Sequence, residues 1–238
     1  MSNPNRYLSG VATVPAAQPL GNFPFPDPFH TSGSANLDSF TYYTDYTDLG
    51  QTASFTVTGT SSTFALTNGV GGYAILTPGG TTTATSMYRT YSAFQFVAGS
   101  QFWYLQRIQP SAVAGTVSFK FGLQYGSATT DGIWFTKAAS STTLSLVSAV
   151  GSTNTTLVSA VQTGLTAGGW IDVAFYYNGT DLLVYTSDTL VARVTNVTIG
   201  ASGTTLTNVL LTPFIQITPT ATDTLTTDYV FAAQETTR

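Results

Sequence analysis

The sequence has few of the side chains on which enzyme chemistry depends. Its 238 residues include no cysteine, one histidine (His30) and one glutamate (Glu235), and charged residues make up 8% of the chain. An ordinary soluble domain has about 25% charged residues. The absence of cysteine excludes a disulfide scaffold and a thiolate zinc site. With a formal net charge of −4, the chain lacks the basic character of a nucleic-acid-binding protein.

The residues that replace the missing charges are hydroxyl-bearing and aromatic. There are 45 Thr and 22 Ser, together with 15 Phe, 13 Tyr and 3 Trp. A disordered chain would lack so many aromatic residues, and a chain of this length can bury a core without disulfides or metal. No stretch approaches the roughly 18 consecutive apolar residues of a membrane span, so no membrane partner is predicted.

Catalytic residues are hard to assemble from this sequence. A glycosidase usually needs two carboxylates about 5–10 Å apart, and the closest pair along the chain is Asp45 and Asp48. Their aromatic, Thr-rich segment is more typical of a strand end and a turn. Asp181 and Asp188 flank a predicted strand and are interpreted as turn residues rather than calcium ligands. His30 has no G-x-S-x-G motif to act with. The sequence predicts no enzyme, no metal and no cofactor.

The residues after about position 37 show the alternating pattern of β-strands. Segments 116–124 and 170–177 alternate strictly, and the second ends in Asn178-Gly179, a two-residue hairpin signal, with 182–185 as its return strand. Further strands are predicted at 53–58, 63–67, 73–77, 91–97, 102–108, 132–136, 143–147, 156–161, 190–195, 209–217 and 228–233. No window has a helical stripe, so we predict an all-β, antiparallel two-sheet sandwich or jelly roll over residues 37–238.

Residues 1–36 differ from this body and are predicted to form an extended N-terminal arm. Six of the ten prolines fall in residues 1–30, which favours a stiff, polyproline-like segment with no sheet partner of its own. The arm side chains expected to contact another subunit are Arg6, Tyr7, Leu20, Phe23, Phe25 and Phe29. The alternatives are a strap across its own domain, an arm reaching a neighbouring subunit, and a disordered tail.

Three aromatic residues are candidates for stacking on glycans: Trp103, Tyr104 and Trp134. Trp170 is a fourth. The competing interpretation places all of them in the core or on a sheet face, where aromatic residues are common.

Segments at both ends and in the middle of the chain resemble structural proteins of tailed bacteriophages. The resemblance rests on residues 1–11, 19–28, 131–135, 170–179 and 228–235. It implies a lectin-type, concanavalin-like jelly roll that is carried on the virion and decorates or cements the capsid. It also implies a major capsid protein as partner and a closed homo-oligomer, with a homotrimer favoured over a homodimer.

The sequence thus leads to a main functional hypothesis and two alternatives. The main one is a capsid cement protein that binds the outside of a phage head through its arm and β-domain, after synthesis in the host cytoplasm. The first alternative is a carbohydrate-binding module on a head fibre or tail, with surface glycans as partners. The second is a polysaccharide-cleaving enzyme, which requires two Asp carboxylates facing each other in a cleft.

Overall fold

The computed structural model describes residues 6–8, 11–13, 25–26, 39–46, 54–67, 72–80, 83–187, 189–220 and 222–235. These residues form twenty β-strands and no α-helix, so the predicted all-β class is confirmed. No helix in the described ranges is long and apolar enough to cross a membrane. The short strands near the N-terminus are β1 (Arg6–Leu8), β2 (Val11–Thr13) and β3 (Phe25–Pro26).

The remaining strands follow from residue 39 onward. They are β4 (Ser39–Thr44), β5 (Phe55–Thr58), β6 (Thr63–Thr67), β7 (Tyr73–Thr77), β8 (Thr85–Arg89), β9 (Phe102–Pro110), β10 (Ser118–Tyr125), β11 (Ala128–Lys137), β12 (Leu144–Val150), β13 (Thr153–Gln162), β14 (Ile171–Tyr177), β15 (Leu182–Thr186), β16 (Thr189–Val194), β17 (Ile199–Gly200), β18 (Leu206–Thr207), β19 (Thr212–Thr218) and β20 (Leu225–Glu235).

Two large antiparallel sheets form the sandwich. The seven-stranded sheet has the order β13-β12-β11-β10-β19-β8-β5. The eight-stranded sheet has the order β16-β15-β14-β9-β20-β7-β6, with β4 paired to β20 beyond the part that pairs with β7. The long final strand β20 therefore lies near the centre of the sheet, with β9 on one side and β4 and β7 on the other. Strands β4 and β20 are neighbours although they are far apart in the sequence. This confirms the predicted two-sheet jelly roll.

The core lies between the two sheets and is rich in aromatic rings. Phe175 of β14 stacks on Tyr104 and Phe102 of β9, with ring centroids 5.0 Å and 6.2 Å apart. Across the sandwich, Phe135 of β11 lies 6.1 Å from Phe175, and within its own sheet it lies 5.5 Å from Phe121 of β10. Burial of each such ring contributes about 1.5–3 kcal/mol, which stabilises the sandwich without disulfides.

The alternation predicted for two segments is confirmed, and so is the hairpin at Asn178-Gly179, because β14 and β15 pair antiparallel on either side of residues 178–181. One local prediction is wrong. Segment 91–97 forms no strand, because its ladder pairing is limited to a single bridge between Phe94 and Leu211. In the hairpin loop the Asn178 side-chain oxygen accepts the N–H groups of Thr180 and Asp181 at 3.0 Å and 2.8 Å.

The N-terminal segment also differs from its prediction. The proline-rich sequence predicts no sheet partner for it, yet β1 pairs antiparallel with β2, and β2 pairs antiparallel with β3. These strands therefore satisfy backbone groups that an isolated arm would leave to water. The side chains of Arg6, Tyr7 and Phe25, and the whole of Leu20, Phe23 and Phe29, lie outside the described parts of the chain. Their contact roles stay predictions, as does the boundary at residue 36.

Candidate functional site on the outer face of the eight-stranded sheet

The outer face of the eight-stranded sheet carries a second, smaller aromatic cluster. Strand register aligns Tyr43 of β4 with Phe231 of β20 and Leu105 of β9, and continues to Ala174 of β14 and Tyr185 of β15. Successive side chains of a strand point to opposite faces, so every second residue of these strands joins this row or its neighbours. We call the surface formed by Tyr43, Trp103, Leu105, Tyr176, Leu183, Tyr185, Tyr229 and Phe231 the aromatic face.

An open depression occupies one end of the aromatic face. It has a volume of ≈ 390 Å³ and is lined by Tyr43, Leu105, Tyr229 and Phe231. The Tyr43 side chain is 57% exposed, whereas Leu105 is buried at the floor. Concave apolar sites bordered by a few polar groups are common places for a ligand. The depression therefore combines an accessible ring with an apolar floor.

A charged cluster borders the depression. Arg107 lies beside Tyr229 on β20 and beside Asp172 on β14. Its Nη1 donates to Asp228 Oδ2 at 2.9 Å, and its Nε lies 3.3 Å from Asp172 Oδ1 without hydrogen-bond alignment. The guanidinium carbon also lies 4.6 Å from the ring centre of Trp170, a cation–π contact. One guanidinium thus holds two carboxylates and covers an indole.

Burial raises the pKa of several groups in and beside this cluster. The pKa of Asp172 is raised by burial, while the charge of Arg107 and a hydrogen bond from Tyr229 oppose that rise. The Tyr229 hydroxyl donates to Asp172 Oδ1 at 3.3 Å, and the pKa of Tyr229 is raised by burial and by the Asp172 charge. The pKa of Tyr43 is raised by burial and then by the charges of Asp45 and Asp228. The rim of the depression is therefore a region of negative potential.

The other end of the aromatic face is a polar and aromatic group around Trp103. The Trp103 ring stacks on Tyr176 with centroids 5.5 Å apart, and the Tyr176 hydroxyl donates to Gln101 Oε1 at 2.8 Å. Burial and the charge of Glu235 raise the pKa of Tyr176 to about 12. The Trp103 indole N–H is buried with no hydrogen-bond partner, an unusual state for a buried donor.

The residues predicted to stack on glycans are not the accessible ones. Tyr104 lies in the core with 0% exposure, so its predicted role is wrong: neighbouring residues of a strand face opposite ways, and Trp103 takes the outer side. Trp103 and Trp134 do lie on outer faces, but they are only 3% and 2% exposed. Trp134 packs on Phe214 of the seven-stranded sheet. On the aromatic face, the exposed ring is that of Tyr43.

The sequence also missed the charged cluster. Arg107 and Asp228 are 121 residues apart, and the antiparallel pairing of β9 with β14 and β20 brings Arg107 together with both carboxylates. A signal was present, because Asp172 falls on the outward side of the alternation in segment 170–177. Asp48, which the sequence analysis weighed with Asp45 and assigned to a strand end and turn, lies outside the described residues, as does His30.

Metal ligation finds no support among the residues that the structure describes, because no three His, Cys, Asp or Glu side chains come together there. Asp181 has a structural role consistent with the turn interpretation. It accepts hydrogen bonds from the Arg193 guanidinium and, at 2.9 Å, from the Asn196 N–H, contacts that lower its pKa. Asp188 lies outside the described ranges.

Comparison with known proteins identifies the fold. The sequence matches no protein-family profile and no curated protein. Among solved structures, the endo-1,3-beta-glucanase from Streptomyces sioyaensis superimposes with a TM-score of 0.61 at 12% identity, covering 87% of this chain and 100% of the glucanase. The CBM2 module of Lactobacillus casei BL23 phage J-1 evolved Dit gives a TM-score of 0.53 at 14% identity, covering 84% and 98%.

A third similar structure is the exoplasmic/lumenal domain of VIP36 in its Ca2+/Man3GlcNAc-bound form. It gives a TM-score of 0.54 at 11% identity, covering 83% of this chain and 89% of that domain. The similar structures thus include a glucanase, a CBM2 module and a Man3GlcNAc-bound domain. At such low identity they show the fold alone, and this chain has a lectin-like and glucanase-like jelly-roll sandwich.

Proposed function

We propose that this chain is a carbohydrate-binding module that uses the depression at Tyr43, Leu105, Tyr229 and Phe231 as its glycan site. The exposed Tyr43 ring above an apolar floor is the observation that carries the proposal. A sugar ring presents an apolar C–H face and a rim of hydroxyl groups. An aromatic side chain packs against the first, and nearby polar groups orient the second.

The polar groups that this binding mode needs border the depression. The Asp172 and Asp228 carboxylates and the Tyr229 hydroxyl oxygen provide acceptors for sugar hydroxyl groups, and Arg107 fixes the position of both carboxylates. Ligand pockets commonly combine an apolar lining with a few fixed polar groups, so the arrangement suits a saccharide better than a purely apolar ligand. The similarity to a phage CBM2 module and to a Man3GlcNAc-bound domain supports the same proposal.

We propose further that the module binds without cleaving. A glycosidase places two carboxylates on either side of the scissile bond, one as acid and one as base or nucleophile. Here Asp172 and Asp228 are ion-paired to one guanidinium at 3.3 Å and 2.9 Å instead of facing each other across an open cleft. Incubation with β-1,3-glucan should release no reducing ends, and measurable release would overturn this part.

A glycan array with point variants tests the binding proposal. Tyr43→Ala should weaken every positive signal about fivefold or more, because an aromatic contact is worth about 1 kcal/mol. Tyr125→Ala is the matched control, since Tyr125 is 50% exposed at the end of β10 in the other sheet. Binding that survives Tyr43→Ala but not Tyr125→Ala would place the site elsewhere and refute the proposal.

A capsid cement role is a second candidate, and the sequence resemblance to tailed-phage structural proteins favours it. In this proposal the chain sits on the exterior of a phage head, binds the major capsid protein through residues 1–36 and the β-domain, and associates as a homotrimer or homodimer. The scarcity of charge suits repeated packing beside copies of itself, because few charges must be desolvated. A glycan site and a place on the virion are compatible in one protein.

Truncation and purification test this second candidate. A variant that lacks residues 1–30 should fold, keep its glycan binding and lose its affinity for capsids. Full-length protein should co-purify with intact capsids in a fixed ratio to the major capsid protein. Normal capsid binding by the truncated protein would refute the arm mechanism, and absence from purified capsids would refute the cement role.

A further inference from the structure

The charge beside the depression is unbalanced. The Asp172 and Asp228 carboxylates face the single guanidinium of Arg107, at 3.3 Å and 2.9 Å, which leaves one excess negative charge in the cluster. The remaining surface of that guanidinium lies over the Trp170 ring at 4.6 Å. Arg107 is therefore engaged on three sides and is not arranged as a receptor for an acidic ligand.

The negative potential extends to the rings that line the depression. Tyr229 lies next to Arg107 in the strand register, and its hydroxyl donates to Asp172 at 3.3 Å. At Tyr43, burial raises the pKa and the charges of Asp45 and Asp228 raise it further, so both carboxylates act on that hydroxyl. The two tyrosine lining residues thus link the apolar depression to the carboxylates.

Aromatic rings in a negative field favour a cation. The faces of Tyr43, Tyr229 and Phe231 present π-electron density, which attracts an ammonium group placed over them. Two other arginines of the described chain are occupied elsewhere: Arg193 binds Asp181, and Arg89 lies 4.7 Å over the Tyr42 ring. The same negative field would repel a carboxylate or sulfate group placed in the depression.

We infer that this depression selects saccharides carrying a protonated amine over neutral or acidic saccharides of the same length. The inference rests on the proposed glycan-binding function and names the ligand class of that site. An organic ammonium suits the site better than a bare metal ion, because three of the four lining residues offer rings and a metal needs several oxygen ligands. The sugar backbone supplies the C–H face that packs on Tyr43.

Calorimetric titration with three tetrasaccharides tests the selectivity. The ligands are chitosan tetramer (amine), chitin tetramer (neutral) and tetragalacturonate (acidic), each titrated into the full chain at low salt. We expect the amine to bind about fivefold or more tightly than the neutral ligand, and the acid to bind most weakly. Added salt should reduce the preference, because it screens the charge contribution.

Variants assign the preference to the carboxylates. Asp228→Asn makes the cluster neutral and should reduce the ratio of amine to neutral affinity to about twofold or less. The ratio is the readout because a hydrogen bond to Asp228 that both tetramers lose cancels in it. Asp223→Asn is the matched control, since Asp223 bonds Thr220 within a separate turn. If Asp228→Asn fails to fold in a thermal melt, Asp45→Asn carries the same test, with the same expected direction.

The outcomes separate this inference from the proposed function. Equal affinity for chitosan and chitin tetramers, with both weakened by Tyr43→Ala, overturns the amine selectivity and leaves glycan binding in place. Tighter binding of tetragalacturonate overturns it as well. If the chain binds none of the three tetramers and no member of a glycan array, the proposed function and the inference are both wrong. An amine preference that Asp228→Asn abolishes and Asp223→Asn retains supports the inference.

Discussion

Replacing Arg107 with glutamine should destabilise the sandwich in a manner that depends on pH. The change removes the guanidinium that contacts Asp172 and Asp228 and covers Trp170. Both carboxylates are mostly buried, with 21% and 15% of their side-chain surface exposed. Glutamine fills part of the space but carries no charge, so two carboxylates lose their counter-ion while keeping most of their burial.

The expected size follows from that partial burial. An exposed ion pair contributes about 0.2–1 kcal/mol, and breaking a fully buried one costs about 3–5 kcal/mol. Arg107 is 34% exposed and joins two pairs of intermediate burial. We therefore expect a loss of about 2–3 kcal/mol in the free energy of unfolding near pH 7, with about 0.5–1 kcal/mol more from the cation–π contact.

The pH dependence distinguishes this mechanism from simple loss of packing. The pKa of Asp172 is already raised above 3.8, and removing Arg107 removes the charge that opposes this rise. A carboxyl group with a raised pKa in the folded state costs stability as the pH rises from its unfolded value through its folded value. The loss caused by Arg107→Gln should be small near pH 3 and should grow as the pH rises above it.

Urea denaturation followed by tryptophan fluorescence near pH 3, 5 and 7 measures this directly. The same substitution in an Asp172→Asn, Asp228→Asn background is the control, and it should cost much less because no carboxylate is left unpaired. A loss under about 0.5 kcal/mol at pH 7, or an equal loss at all three pH values, would refute the proposed electrostatic role of Arg107.

Two further substitutions test the reasoning about the fold. Burial raises the pKa of Tyr42 to about 12, and its hydroxyl has no hydrogen-bond partner. Tyr42→Phe should therefore change the free energy of unfolding very little at pH 7. Near pH 11, where the parent loses stability as this tyrosine ionises more easily in the unfolded chain, the variant should be about 1.4 kcal/mol more stable than the parent in urea denaturation. Gly122→Ala should lower the free energy of unfolding by about 3 kcal/mol or more, because φ is +154° and a Cβ would lie 2.4 Å from the Ile133 carbonyl oxygen. Gly80→Ala is the control. A Cβ there would meet no atom within 4 Å, so stability should change by less than about 0.5 kcal/mol. Equal melting temperatures for the two alanine variants would contradict the close approach at Gly122.

The alternation of residues along a single strand predicted some features of the site and left others open. The alternation in 170–177 correctly assigned Phe175 to the core and placed Asp172 on the opposite side of the strand. The pair Trp103-Tyr104 could be assigned to opposite faces but not to particular ones, because segment 102–108 is apolar on both sides. The glycan-stacking prediction therefore included Tyr104, whose ring is in the core, and overlooked Tyr43.

The sequence by itself determined the class of this protein. Its period-two pattern, its hydroxyl-rich surface and its lack of helical stripes specify an antiparallel sandwich, because those are properties of single segments. Only the tertiary structure decided the site. Arg107, Asp172 and Asp228 come from three strands distant in the chain, and hydrogen bonding between β9, β14 and β20 makes them neighbours. Strand order and register depend on the packing of the whole core, which no local segment encodes.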